Sequence, residues 1–459
     1  MKRSQSYQRA LGWIHSIGRF GMNQGLERIK ALLDRLGNPH KDLPYLHIGG
    51  TNGKGSTAAM VASVLRSCGY RVGLYTSPYL VSFTNRFSID GEDISPQELV
   101  EYVERVRPLV DEIKGDPQLG QPTEFEVVTA LAFLFFVRHR PDLVVLEVGL
   151  GGRLDATNVI TPLVSMLTNV SLEHTRVLGE SVEAIAGEKV EIIKPGVPVV
   201  TAATDPAVLQ VILEACRRRG APGYRVVPAG DGQKVSPGWS GAFSYGERKL
   251  VPLGQQFTYH GPEWELPGLV ISLRGGHQVV NAATALAGLE LLSQQGFQLP
   301  EGGVRPGLKN TVWPGRLEIV GKSPLVVLDG AHNPAAMEQL ALSVAEHFRY
   351  RRLVLVLGIL ADKDKEAMFR HILPLAHRLV LTRPAYGRAA SLEELAASKA
   401  LAAFYSGPVQ IEKTVVGAVE QALKLAGKMD LVLVAGSLYT VSEARDYLLN
   451  SGDSCRKRG

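Results

Sequence analysis

The sequence predicts an α/β protein of two domains, each built on a mostly parallel, buried sheet. Three observations predict it. With 459 residues the chain is too long for one ordinary core. Short apolar runs without in–out alternation recur between helical patterns from about residue 44 to 205, as parallel strands covered on both faces require. A stretch dense in Gly and Pro, residues 299–316, then interrupts this pattern before it restarts.

In chain order, PYLHI (44–48), RVGLY (71–75), DLVVLEV (142–148), PLVSMLTNV (162–170) and VPVVTAA (197–203) read as buried strands of a doubly wound sheet. Between the first two, STAAMVASVLRSCG (56–69) reads as a helix opening at Ser56 and stopped by Gly69. Residues 225–275, rich in Gly, aromatic residues and Pro, read as an irregular or β-meander insertion. The stretch 299–316 reads as the linker zone. Beyond it PLVVLDG (324–330), RLVLVLGIL (352–360), HRLVLTRP (377–384) and DLVLVAGS (430–437) are expected strands of the second, smaller domain. The expected division is 1–308 and 309–459, with no internal repeat or low-complexity tract.

Composition narrows the function classes. Apolar residues make up 45% and charged residues 21%, the balance of a folded globular chain. No run of about 18 uninterrupted apolar residues occurs, so no membrane span is expected. The first twenty residues hold no apolar signal-peptide core. Three cysteines, Cys68, Cys216 and Cys455, lack metal or redox spacing, which fits a reducing, cytoplasmic setting. The net charge of +5 is spread along the chain, and the tail Arg456-Lys457-Arg458 reads as a solvated terminus, so nucleic acid is not an expected partner.

The sharpest chemical signal is HIGGTNGKGST, residues 47–57, between an expected strand and an expected helix. Glycines there let backbone N–H groups approach phosphate oxygens, and the helix N-terminus adds a favourable dipole. Lys54 is placed to reach β/γ-phosphates and Ser56 to hold Mg²⁺. The spacing departs from a strict Walker A, because Gly55 separates Lys54 from Ser56. In DLVVLEVGLGGRLDATN (142–158) an apolar strand ends on Glu147, a Walker-B-like arrangement, followed by glycines suited to close ligand approach. LTNVSLEHTRVLG (167–179) carries Glu173 and His174, the latter a candidate for a second divalent cation. TSPYLVSFTNRF (76–87) adds Ser77 at a strand end. In GEKVEIIKPG (187–196), Lys194 reads as a solvated helix lysine. Asn281 near the start of a helix, Arg316 beside the linker, Asp329, His332 and Asn333 in DGAHNP, and Gly436, Ser437 and Tyr439 in VAGSLYTVSEA stand at strand ends or hinges. Together they suggest a cleft between the domains.

GTNGKGST, TSPYL, TEFEVVTA, EVGLGGRLDATN, the His174 segment, EKVEIIKPG, HQVVNAATA, PGRLE, DGAHNP and VAGSLY occur in order through nearly the whole chain. This series resembles the folylpolyglutamate synthase/dihydrofolate synthase branch of the Mur ligase family. The resemblance implies an N-terminal P-loop ATPase domain with a parallel sheet and a smaller C-terminal Rossmann-like α/β domain. It implies an ATP-dependent ligase that adds L-glutamate to folates, and to dihydropteroate in bifunctional members, through an acyl phosphate. It further implies that Asn52, Gly53, Lys54, Gly55, Asn281, Arg316 and Asp329 contact ATP. Ser56, Ser77, Glu147 and His174 match magnesium ligands at two sites, and Lys189 matches a lysine carried as a carbamate. Thr123, Glu124, Phe125, Glu126, Leu154, Asp155 and Ala156 match segments near the pteroate-type substrate. His332 and Ser437 fall where glutamate enters, His332 being counted with Lys54 and Lys189 as catalytic. A cytoplasmic monomer is the expectation from the same source. The chain departs from the family pattern at Tyr79, Glu173, Val190-Glu191 and Ala435. Two other readings of the motifs are a Mur ligase acting on a cell-wall precursor and a P-loop ATPase uncoupled from amide formation.

Overall fold

The computed structural model describes residues 5–18, 25–230 and 237–455, with backbone alone for 451–455. The Arg456-Lys457-Arg458 tail, the Cys455 side chain and part of the N-terminal segment lie outside the described residues. The chain forms two compact units: Met1–Lys249 with Gln256–Ile271 and Val279–Thr311, and Leu250–Gln255 with Ser272–Gln278 and Val312–Gly459. No described helix is long and apolar enough to cross a membrane.

The first sheet contains, in chain order, β1 (Tyr45–Gly49), β2 (Val72–Tyr75), β3 (Phe87–Ile89), β4 (Glu92–Asp93), β5 (Leu143–Glu147), β6 (Val164–Leu167), β7 (Val199–Thr201), β8 (Gly223–Pro228), β9 (Gly241–Val251), β10 (Gly254–His260) and β11 (Glu265–Ile271). Across the sheet the order is β11-β10-β9-β8-β7-β6-β1-β5-β2-β3-β4. From β9 through β2 the neighbouring strands run parallel. The expected runs thus fall on β1, β2, β5, β6 and β7. Their residues are buried on both faces, which is why they carry no alternation. The order places β1 between β5 and β6, so loops from three neighbouring strands open at one carboxyl edge.

Two expectations change. The region 225–275 holds a β-meander, one of the two forms expected, but it continues the main sheet and is not a separate insertion: β9 and β10, joined by two residues as in an antiparallel hairpin, lead to β11 at the sheet's far edge. Within the expected linker zone, Glu301–Lys309 is a helix despite Pro306 and three glycines. Two of its glycines serve packing. A Cβ on Gly307 would stand 2.5 Å from Val64 Cα, and one on Gly303 2.5 Å from Cys68 Sγ, so the helix lies directly on Lys54–Ser67. The Gly307 carbonyl accepts hydrogen bonds from Ser63 Oγ (2.7 Å) and Thr311 Oγ1 (2.9 Å). Gly307→Ala is accordingly expected to destabilise the protein by about 1–3 kcal/mol through overpacking. A urea unfolding midpoint unchanged from the parent would refute this close approach.

The second sheet comprises β12 (Glu318–Lys322), β13 (Leu325–Leu328), β14 (Leu353–Leu357), β15 (Arg378–Thr382), β16 (Val409–Glu412) and β17 (Leu431–Ala435), ordered β12-β13-β17-β14-β15-β16. All pairs are parallel except β12 with β13. Four of these strands match expected runs. Edge strands β12 and β16 were not anticipated, because they are half exposed and lack a continuous apolar run. This unit has its own core, with Leu355, Leu357, Leu379, Leu433 and Phe369 fully buried.

Candidate functional site

The Gly-rich loop leaves β1 and enters a helix that starts at Lys54, two residues earlier than its hydroxyl pattern suggests. Gly53 precedes the helix in left-handed backbone (φ 86°), and its carbonyl already accepts the Thr57 N–H. That conformation suits glycine, and a Cβ there would stand 2.3 Å from Asn281 Oδ1. Asn281 is thereby held against the loop. The helix ends as expected, with Gly69 left-handed and the Tyr70 N–H bonded to the Leu65 carbonyl.

Several groups stitch this loop in place. Asn169 accepts the Thr51 N–H on its carbonyl (2.8 Å) and the Asn52 N–H on Oδ1 (2.9 Å), while Thr168 Oγ1 donates to the Asn52 carbonyl (2.7 Å). Thr51 Oγ1 accepts the Ser171 N–H, which ties in the segment leading to Glu173 and His174. Sequence reasoning missed Thr168 and Asn169. The signal was a polar pair directly after the apolar run of β6. His174 sits in left-handed backbone (φ 52°) before the short helix Thr175–Leu178, 3.7 Å from Glu173 Oε1.

Two lysines meet at one carbonyl. Lys54 Nζ donates to the Gly50 (3.1 Å) and Thr51 (3.0 Å) oxygens, and Lys189 Nζ donates to the same Gly50 oxygen (2.9 Å). Burial, then the Lys54 charge, brings the Lys189 amine down from 10.5 to about 7. Between about pH 7 and 10.5 the unfolded chain therefore keeps a proton that the folded one has released. Stability from this group rises with pH through that window, and its destabilisation is complete below about pH 7. Lys189→Met is expected to flatten this rise. Urea midpoints across the window test it, and a variant with the parent's slope would assign the rise to other groups. Lys194, expected to be solvated, is instead half-buried and donates to the Asn158 carbonyl (2.9 Å). It follows a short 3-10 turn, not a helix, and that geometry turns it inward.

At the neighbouring strand ends, the Ser77 N–H donates to Glu147 Oε2 (3.1 Å) across the β2–β5 pair. Glu147 is buried at the end of β5, and Ser56 is buried in the loop's helix. Ser56, Ser77, Glu147 and the Glu173–His174 segment thus belong to the carboxyl edge around β1. Among the described residues no group of three or more His, Cys, Asp and Glu side chains could hold a metal ion. The donor set is hydroxyls and one carboxylate with an imidazole, so it suits a hard cation completed by phosphate oxygens and water, not a closed protein cage.

The segments 123–126 and 149–156 lie against each other, since a Cβ on Gly149 would meet the Phe125 ring at 2.4 Å. Their acids are occupied in different ways. Glu126 closes a capping box with Thr123 and pairs with buried Arg28 at 3.1 Å. Glu124 is 3.5 Å from His15 Nδ1 and 4.0 Å from Arg86 Nη2. Arg28, His15 and Arg86 were not anticipated, because single basic residues carry no sequence signature. Asp155 accepts the Leu150 N–H on Oδ2 (2.8 Å) and the Thr157 N–H on Oδ1 (3.0 Å). Burial raises its carboxyl above the usual range, and these hydrogen bonds oppose that shift. Leu154 and Ala156 flank it on the same turn.

In the second unit, Asp329 follows β13 and accepts N–H groups from Leu317 and Ala331, both at 2.9 Å. Burial raises its carboxyl, while the Arg316 guanidinium lowers it. A Cβ on Gly330 would stand 2.3 Å from Arg316 Nη1, so DGAHNP and PGRLE pack together. His332 Nδ1 bonds to the Gly330 carbonyl at 2.8 Å. Ser437, buried at the end of β17, accepts the Thr440 N–H (3.1 Å), and Thr440 Oγ1 donates to the Gly358 carbonyl after β14 (2.9 Å). Tyr439 stacks on Tyr386 with centroids 3.8 Å apart.

Residues 48–289 match the Mur ligase middle domain, and residues 315–438 match the Mur ligase glutamate ligase domain. The dihydrofolate synthase/folylpolyglutamate synthase of Bacillus subtilis (strain 168) is 37% identical over 447 residues, covering 96% of this chain and 99% of its own. The Mycobacterium tuberculosis folylpolyglutamate synthase complexed with ADP superposes with a TM-score of 0.88 at 34% identity, over 96% of this chain and 98% of its own. An FPGS–AMPPCP–folate complex gives a TM-score of 0.80 at 35% identity, over 96% and 99% of the two chains.

Proposed function

This chain belongs to the folylpolyglutamate synthase/dihydrofolate synthase branch of the Mur ligase family, and on that premise we propose that it is an ATP-dependent ligase joining L-glutamate to a folate. Dihydropteroate is the second acceptor we propose for the same site. The observation that carries the reading is the Gly50–Lys54 loop, where Gly53 leaves no room for a side chain and Lys54 rests on two carbonyls it can exchange for phosphate oxygens.

A substrate carboxylate is a poor electrophile. Its oxygen attacks the γ-phosphorus of ATP, the bond to the ADP oxygen breaks, and an acyl phosphate results. The glutamate amine then attacks the acyl carbon, loses a proton, and the carbon–oxygen bond to phosphate breaks to leave an amide. In this scheme Lys54 neutralises charge growing on the transferred group. Asn52, Gly53 and Gly55 bind phosphate through backbone N–H groups, and Asn281, Arg316 and Asp329 bind the nucleotide. Thr123 to Glu126 and Leu154 to Ala156 shape the acceptor site, while His332 and Ser437 receive glutamate. Ser56, Ser77, Glu147 and His174 would hold Mg²⁺ at two sites, and the oxygen-rich set fits that ion. Magnesium bound there supplies charge neutralisation for phosphate. The neutral Lys189 amine favoured by burial is also the form that adds CO₂, and we propose a carbamate on Lys189, to be tested by ¹³C NMR with labelled bicarbonate. A cytoplasmic monomer completes the proposal.

The test is phosphate release with Mg-ATP and L-glutamate, adding tetrahydrofolate or dihydropteroate. Release that requires both glutamate and an acceptor supports the ligase. Equal release without either would mean an uncoupled ATPase.

A further inference from the structure

His47 lies on β1, five residues before Asn52, and is fully buried. Its Nε2 is 2.9 Å from Thr157 Oγ1, and that hydroxyl donates to Asp155 Oδ1. Because the Thr157 proton goes to the carboxylate, its oxygen must accept from His47, which sets the Nε2–H tautomer. Nδ1 is buried with no hydrogen-bond partner, so the ring has no acceptor for a second proton. Asp155 in turn accepts the Leu150 N–H from the far end of the same loop. The relay therefore runs from the strand that feeds the phosphate loop, through Thr157, to the carboxylate that closes residues 150–157 into one turn. Gly152 presses that turn onto the Lys189 backbone, where a Cβ would stand 2.9 Å from the Lys189 carbonyl oxygen.

We infer that His47 is a positioning residue for the acceptor: through Thr157 it fixes Asp155, and with it the 150–157 turn that receives the pterin-bearing substrate. This rests on the proposed function. The three side chains of the relay bond to one another and to the 150–157 turn, so its loss falls on acceptor binding more than on ATP. The neutral ring needed for it persists across the working pH range, since burial takes His47 down to about 3.

Steady-state kinetics of His47→Leu, Thr157→Val and the double variant test this, with His47→Gln and Thr157→Ser as conservative replacements. Gln retains an N–H near the Nε2 position, and Ser retains the hydroxyl. Each disruptive single variant is expected to raise KM for tetrahydrofolate about tenfold, the worth of one buried hydrogen bond. KM for ATP should change less than about twofold, and the double variant should match a single one, because one relay is cut once. The conservative variants should recover to within about threefold of the parent. Equal rises in both KM values, multiplicative losses in the double variant, or parent-like kinetics in all of them would overturn the inference. If His47→Leu fails to fold, the near-isosteric Thr157→Val carries the test alone. ¹⁵N NMR of the parent separates this from a failure of the ligase reading. A neutral Nε2–H imidazole whose signal shifts in Thr157→Val supports the relay whatever the protein catalyses, and an Nδ1–H tautomer refutes it.

Discussion

Replacing Lys54 with alanine is expected to lower glutamate-dependent phosphate release by about 10³-fold, the scale of losing a preorganised charge stabiliser. Structure preserved beside lost chemistry makes this variant informative. The Gly50 carbonyl that Lys54 leaves behind keeps the Lys189 donor at 2.9 Å. The Asn169 and Thr168 bonds to the loop do not involve Lys54 at all. A second readout follows from electrostatics. The Lys54 charge is one cause of the lowered Lys189 value, so its removal should raise that value and shift the rise of stability with pH toward higher pH. Full activity in Lys54→Ala would refute the phosphate role, and an unmoved stability profile would refute the coupling of the two lysines.

Glu147→Gln is expected to cut turnover by more than about 10²-fold, beyond the loss typical of a group one shell removed from a metal. It should also raise the magnesium concentration needed for half-maximal rate. The choice of glutamine separates two roles. As a structural acceptor, Glu147 takes the Ser77 N–H at 3.1 Å on an oxygen, and the amide keeps such an oxygen. A cation-holding Glu147 needs the negative charge, which the amide lacks. Parent-like turnover and magnesium dependence in Glu147→Gln would refute the cation-holding role.

Much of the fold was legible because its signals are local. β1, β5, β14 and β17 are short apolar runs between helical patterns, and a strand buried on both faces reads that way in one dimension. The Gly-rich loop was legible because several residue types at fixed offsets serve one geometry. Where local signals conflict, reading fails. The Gly and Pro of Glu301–Lys309 looked like a linker, yet those glycines permit helix-to-helix contact at Val64 and Cys68. β16, with alternating exposure and no long apolar run, left no clear trace. Lys194 looked solvated because a lone lysine usually is, and only the turn before it directs it to the Asn158 carbonyl.

By itself the sequence determined the α/β class, the phosphate-binding loop and the family, since periodicity, motif spacing and motif order are properties of the chain alone. Only the tertiary structure decided which of those motifs meet. Lys54 and Lys189 share the Gly50 carbonyl, Ser77 donates to Glu147, and Asn281 closes on Gly53, each across a long separation in sequence. The physical reason is strand order. Placing β1 between β5 and β6, with β2 beyond β5, brings distant loops to one carboxyl edge, and that order is set by how buried faces pack, a choice no local stretch of residues makes.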